Sequence, residues 1–112
     1  MRKWTVSLVV ACLAIAGLAF AQGKKGGAAG DAAKGKEVFD QCSVCHNTDT
    51  DEVKVGPSLK GLFKRDKLKN GNKVTDQSVR AMINMGGNGM PSFGDLLSED
   101  EKNDVIAYLK TL

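Results

Sequence analysis

The sequence is short of most of what a self-sufficient enzyme domain is built from. It has one histidine, one tryptophan and one tyrosine in 112 residues, and aromatic residues make up only 5%. One histidine means one imidazole for any ligand or acid–base role. Large apolar side chains are also scarce once their positions are considered. Hydrophobic residues are 42% of the chain, but 16 of them fall in the first 21 positions. Residues 22–112 are 34% hydrophobic, and only 23 of these side chains are larger than Ala or Cys. A domain of this size buries only ~60–65% of its unfolded surface. A large enzyme with a deep protein-lined cleft is excluded, and something besides side chains is expected to help fill the interior. No segment alternates polar and apolar residues with period two, and there is no internal repeat, so the domain reads as all-α with extended loops. Strong charge of one sign is missing too: the net charge is +3, and +1 without Arg2 and Lys3. Nucleic acid, which calls for a pronounced basic footprint, is therefore not an expected partner.

The first segment has its own logic. Arg2 and Lys3 precede an uncharged run, Thr5 to Ala21, that ends in Ala19-Phe20-Ala21. A basic start, an apolar middle and a small-x-small end read as a secretory signal peptide over residues 1–21, cleaved after Ala21, and hence as export. The alternative is a retained membrane anchor, but 17 helical residues reach only about 25 Å, short of the ~30 Å hydrocarbon core. Cys12 lies inside the apolar run and is assigned no chemistry. Trp4 leaves with the signal. Residues 22–30 carry four glycines and no large apolar side chain, and read as a flexible arm.

From Asp31 the pattern is helical and forms one domain, residues 31–112. Asp31 is a candidate N-cap, and Val38 and Phe39 supply a buried stripe. Gly35 inside this helix costs ~1 kcal/mol relative to alanine; close approach of another backbone explains it best, simple tolerance being the alternative. Residues 47–74 are rich in turn signals, with a short helical turn expected around Ser58–Phe63. Thr75 or Asp76 caps a helix to about Met85, which Gly86-Gly87 ends. Ser98-Glu99-Asp100-Glu101 is a capping box with acids in the first turn, and Val105, Ile106, Leu109 and Leu112 then recur at helical spacing.

Cys42-Ser43-Val44-Cys45-His46 carries the chemistry. In C-x-x-C-H, two cysteines at a helix end each reach one vinyl group of a haem, and the adjacent histidine is held under the iron. Three other readings compete. Zinc needs about four ligands, and only Cys42, Cys45 and His46 are at hand. A thioredoxin-like redox pair sits in a βαβ context that is absent. The third is a structural disulfide across a very short loop. A haem iron with a proximal histidine takes methionine as a sixth ligand in some proteins, which raises the potential. Met82, Met85 and Met90 are the candidates. Met82 lies on an apolar face with Val79 and Ile83 and reads as core; Met85, at the helix end, could serve either role. Met90 follows Gly86, Gly87 and Gly89 and precedes Pro91, so backbone can approach a flat ring closely and is stiffened beyond it.

From Asp31 to Leu112 the chain resembles a small class I cytochrome c. The resemblance rests on Gly35-Lys36-Glu37-Val38-Phe39 before the motif, on Gly56-Pro57-Ser58-Leu59-Lys60-Gly61-Leu62-Phe63 after it, on Gly89-Met90-Pro91-Ser92-Phe93, and on Tyr108-Leu109 in the last helix. It implies three to four short helices and loops wrapped around one haem c, bound through Cys42 and Cys45, with His46 and Met90 on the iron. It also implies that the Pro57 carbonyl holds the second ring nitrogen of His46, that Arg65 binds a haem propionate, where the residue alone reads equally as a solvated charge, and that Gly35 crosses the last helix. Export fits, because this family acquires haem outside the bacterial cytoplasm. The loop after Arg65 is short, and with no tryptophan in the domain and 44 residues from His46 to Met90, the chain is closer to compact bacterial and photosynthetic members than to mitochondrial ones.

With both axial positions filled, the expected activity is outer-sphere transfer of one electron rather than catalysis. Redox proteins, membrane-bound complexes among them, are the expected partners, docking transiently on a monomer. A basic run, Lys60 to Lys73, and an acidic one, Asp95 to Asp104, are read first as solvated faces; the uncharged stretch 84–94 is the better docking candidate. A membrane-tethered carrier, and a ligand sensor or peroxidase with a labile Met90, are the alternatives. The scarcity of apolar side chains further predicts that the haem-free chain is largely unfolded.

Overall fold

The computed structural model describes residues 30–112. The signal read over 1–21, with Trp4 and Cys12, and the arm as far as Ala29 lie outside the described residues. Three α-helices, α1 (Ala32–Phe39), α2 (Asp76–Met85) and α3 (Glu99–Leu109), are joined by long loops, with a 3-10 turn at Leu62–Lys64. Among the described residues, β-pairing is confined to two isolated bridges. No described helix is long and apolar enough to cross a membrane.

Each helix begins where its sequence supplies a cap. Asp31 accepts from the Ala33 and Lys34 amides at 2.9 and 3.2 Å. Thr75, not Asp76, caps α2: its hydroxyl accepts from the Ser78 amide at 3.0 Å, while its own amide donates to Ser78 Oγ at 2.9 Å. Ser98 and Glu101 exchange the same pair of bonds at the start of α3. Such caps satisfy amides that the first helical turn leaves without partners. The helical turn expected around Ser58–Phe63 starts later, at Leu62, because Gly61 takes a left-handed conformation (φ 65°) immediately before it.

α1 packs on α3, and glycine sets their separation. A Cβ at Gly35 would stand 1.9 Å from the Asp104 carbonyl oxygen and 2.9 Å from Tyr108 Cβ. Gly30, placed by the sequence at the end of the arm, is held as tightly: a Cβ there would lie 2.1 Å from the Asn103 carbonyl oxygen. The Asp31 amide donates to Asp104 Oδ1 at 2.8 Å, a cross-helix bond that sequence periodicity does not reveal. At the other end of the contact, the Phe39 and Tyr108 rings meet at 5.3 Å between centroids, inclined at 53°, an arrangement aromatic pairs favour.

Phe39, Leu62, Val79, Ile83, Leu97, Val105, Ile106 and Leu109 are the buried core, with Val38, Leu59 and Phe93 packed against it. Lys102 is buried with them, on the same stripe of α3 as Val105, Ile106 and Leu109. α2 is tied to α3 at the surface by Lys110–Asp76 (2.7 Å) and Arg80–Glu99 (3.0 Å), pairs that each add little stability in water.

Candidate haem-binding site

The chain leaves α1 in a series of tight turns that carry the motif. The Cys42 amide bonds the Phe39 carbonyl at 2.7 Å, and the Cys45 and His46 amides both bond the Cys42 carbonyl, at 3.1 and 3.0 Å. These turns put Cys42, Cys45 and His46 together at the end of one helix. Both thiols are free and half-buried. Burial, and then the neighbouring Cys45, pushes the Cys42 thiol up from its ordinary value. Among the described residues the elements are three α-helices and a 3-10 turn, so the βαβ context of a thioredoxin-like pair is not found there. The two sulfurs are not bonded to each other in this structure. Among the described residues, no group of three or more His, Cys, Asp and Glu side chains is placed to hold a metal ion, as a zinc site would need.

The loop after His46 folds back on the imidazole. The Gly56 amide bonds the Cys45 carbonyl (2.8 Å) and the Leu59 amide the Asn47 carbonyl (2.8 Å). Buried Ser58 donates to the Thr50 carbonyl, and Asn47 Nδ2 to the Glu52 carbonyl. Held in this way, the Pro57 carbonyl lies 2.7 Å from His46 Nδ1. A carbonyl oxygen only accepts, so Nδ1 carries the proton and Nε2 keeps its lone pair for a metal. Gly56 completes the cradle: a Cβ there would lie 2.5 Å from His46 Cε1 and 2.9 Å from Nδ1. Sequence reasoning places Gly56 in a turn of the loop after the motif; its contact with the ring becomes visible only in three dimensions.

Met90 belongs to a second, separately built loop. Gly87 and Met90 exchange backbone bonds at 2.9 and 3.0 Å around Asn88 and Gly89. Both central residues have positive φ (53° and 89°), the property that makes Asn-Gly the preferred pair in a two-residue hairpin. Gly86 is obligatory as well, since a Cβ there would lie 2.4 Å from the Met90 carbonyl oxygen. Beyond Met90 the Phe93 and Gly94 amides bond the Ile83 and Asn84 carbonyls at the end of α2, at 2.9 and 3.2 Å. Met90 is thus fixed on both sides. Met85 is 72% exposed. Met82 is half-buried but, against expectation, stands outside the core cluster that takes in Val79 and Ile83. Asn84 Oδ1, beneath this loop, is a buried acceptor without a hydrogen-bond partner.

Arg65 is half-buried, with Nη2 donating to the Lys60 carbonyl at 2.6 Å. Together with Pro57, Ser58, Asp51, Val53, Lys67 and Lys69 it lines a cavity of about 390 Å³. This brings Arg65 to the side of the site where Pro57 holds His46, while the cysteines and Met90 lie outside that cavity.

Two free thiols three positions apart, one imidazole with a fixed tautomer, and a glycine, Gly56, where backbone meets that imidazole suit a covalent haem. Fold and site together define a c-type haem protein. Comparison with known proteins agrees. The model of the family described as cytochrome c oxidase, cbb3-type, subunit III, matches residues 30–109. The chain is 34% identical to cytochrome c2 of Blastochloris viridis, across 98% of this chain and 93% of that relative. It is 32% identical to cytochrome c6 of Picosynechococcus sp. (strain ATCC 27264 / PCC 7002 / PR-6), across 91% of this chain and 90% of that one. Among solved structures, cytochrome c6 from the diatom Phaeodactylum tricornutum superposes with a TM-score of 0.59 at 29% identity, covering 73% of this chain and 93% of its own. Cytochrome cH from Methylobacterium extorquens does so with a TM-score of 0.56 at 26% identity, covering 74% and 100%. The chain belongs to the class I c-type cytochromes. It is an electron carrier that works through one haem c, held covalently by Cys42 and Cys45.

Proposed function

We propose that His46 and Met90 are the two axial ligands of the haem iron, that Pro57 orients His46, and that Arg65 binds a propionate. The observation that carries this reading is the 2.7 Å contact between His46 Nδ1 and the Pro57 carbonyl, which leaves Nε2 as the one imidazole nitrogen free to ligate. The bound haem supplies a single electron, with iron alternating between ferric and ferrous. The chain does the rest. The Gly56–Pro57 cradle fixes the ring, and the Gly87–Met90 hairpin presents a thioether, a weak ligand that must be held in place by its loop. The apolar surround disfavours the extra positive charge of the ferric centre, and with methionine ligation this sets a high, positive potential.

With both axial positions occupied by protein there is no place for a substrate on iron, and the reaction is outer-sphere transfer to a redox protein rather than catalysis. The uncharged segment 84–94 is the docking face. It exposes Met85, Gly87, Asn88, Gly89 and Pro91, which suits a small, short-lived contact with a soluble or membrane-bound partner. Residues 1–21 direct export to the periplasm and are removed after Ala21, and residues 22–29 remain as an arm on a monomeric domain that begins by Gly30.

The test is the spectrum of the purified holoprotein. The ferric form is expected to show the weak near-infrared band of methionine–iron coordination, and the ferrous form to bind CO slowly. Met90→Ala should abolish the band and open the iron to CO. A wild-type protein without the band that binds CO rapidly when reduced is a sensor or peroxidase. A Met90→Ala protein that keeps the band has Met82 or Met85 on its iron. The N-terminal residue of the purified protein, Gln22 or Met1, decides whether the signal is cleaved.

A further inference from the structure

One charged group is buried where the sequence pattern calls for an apolar one. Lys102 is 3% exposed and lies on the stripe of α3 formed with Val105, Ile106 and Leu109. An ammonium removed from water is strongly disfavoured unless its donors are used. Two of its three are: Nζ donates to the Gly94 carbonyl at 2.8 Å and to Glu99 Oε1 at 2.8 Å. Glu99 is itself mostly exposed, and its carboxyl is held below its ordinary value, chiefly by the hydrogen bond and charge of Lys102. The Gly94 carbonyl is the unusual partner, because it belongs to neither helix. It closes the segment that begins at Met90, and among the described residues the Lys102 bond is the only hydrogen bond between residues 86–94 and α3. The bonds donated by Ser92 Oγ and by the Phe93 and Gly94 amides all run to the end of α2, while the Phe93 carbonyl accepts from the Leu96 and Leu97 amides just beyond.

We infer that Lys102 is a positioning residue for the distal loop: its buried ammonium clamps Gly94 to α3 and so keeps the segment carrying Met90 closed over the iron. The inference rests on Met90 being the sixth ligand. An external ligand reaches the iron only when Met90 has left it, so its apparent affinity reports how often the segment opens. A charge-assisted bond made inside the protein is among the stronger single contacts available to such a loop. Its removal shifts the open population without touching either axial ligand.

The experiment uses ferric holoprotein and imidazole as the external ligand. Lys102→Met keeps the length and stem of the side chain and removes the ammonium; Ile106→Val trims the fully buried neighbour on the same stripe and serves as a control for loss of core packing. Both are first checked for the near-infrared band and for native far-UV circular dichroism. Lys102→Met is expected to bind imidazole about tenfold more tightly than wild type, with Ile106→Val within about twofold of wild type. Equal shifts in the two variants would make Lys102 an ordinary core residue, and no shift in Lys102→Met would refute the clamp; either result overturns the inference. If Lys102→Met does not fold, Lys102→Gln, which keeps a donor for Gly94 but no charge, takes its place with the same expectation at a smaller factor. A wild-type protein that lacks the band would instead refute Met90 ligation itself, so the two failures are distinct.

Discussion

Replacing Gly56 with alanine adds one methyl group against the imidazole that the site is built around. That methyl would sit 2.5 Å from His46 Cε1, against about 3.5 Å for a comfortable carbon contact. The ring, or the loop, must give by roughly 1 Å. A movement of that size lengthens the 2.7 Å bond from Nδ1 to the Pro57 carbonyl beyond hydrogen-bonding range. Forcing a methyl into a packed site costs about 1–3 kcal/mol, and the broken bond adds about 1 kcal/mol. Gly56 is not in the left-handed region, so alanine brings no backbone strain, and restricting the unfolded chain returns ~0.4–1 kcal/mol. The net expectation is a loss of about 1–3.6 kcal/mol. At ~4–8 °C per kcal/mol for a domain this small, the melting temperature should fall by roughly 4–29 °C. Thermal unfolding of the holoprotein, followed in the haem absorption band, measures the fall, and the proton resonance of His46 Nδ1–H reports the bond directly. A variant that melts with wild type and leaves that resonance unmoved would refute the account of the cradle.

The remaining expectations concern the cofactor and the acid side of the stability profile. Cys42→Ser with Cys45→Ser removes both thioether positions, and the haem-free chain should show little helical circular dichroism and no cooperative melt; a native-like melt would mean that the sparse core suffices alone. Glu99 has its carboxyl lowered from its ordinary 4.5, so its pairing stabilises the fold fully above that pH and is lost as pH falls through the lower folded value. The melting temperature of wild type should therefore exceed that of Glu99→Gln at neutral pH, with the gap closing under acid conditions. A gap that widened on acidification would contradict the assignment.

Most of the architecture can be read in the sequence because it is written in local signals. Asp31, Thr75 and Ser98 announce three helix starts by capping chemistry, and Gly86 announces an end. The C-x-x-C-H spacing declares the cofactor from five consecutive residues. What could not be read depends on distant neighbours. Gly56 resembles any turn glycine until the His46 ring is set beside it. Gly30 belongs by composition to the arm, yet its missing side chain is what lets α3 approach. Lys102 is hidden because a charged residue on a helix is ordinarily assigned to solvent. Its burial follows from a carbonyl eight residues away, one that is free because the loop ending there has no other partner on α3. Met82 shows the opposite error: helical spacing placed it beside Val79 and Ile83, but spacing gives a face and not its depth.

The contact between α1 and α3 also bears on the order of events during synthesis. The bond from Asp31 to Asp104 spans 73 residues, and closing a loop of that length carries an entropic penalty of about 4 kcal/mol. α1 is eight residues long, too short to persist alone in water, and its docking face is the last element to be made. A chain emerging from its amino end therefore has no stable place for α1 until nearly the whole sequence is available. Cys42 and Cys45, in the turns that leave α1, stay unfolded and accessible for the same interval. Completion of the chain does not by itself end that accessibility, since the haem-free chain is expected to stay largely unfolded; α1 docks on α3 once haem has been joined to the thiols.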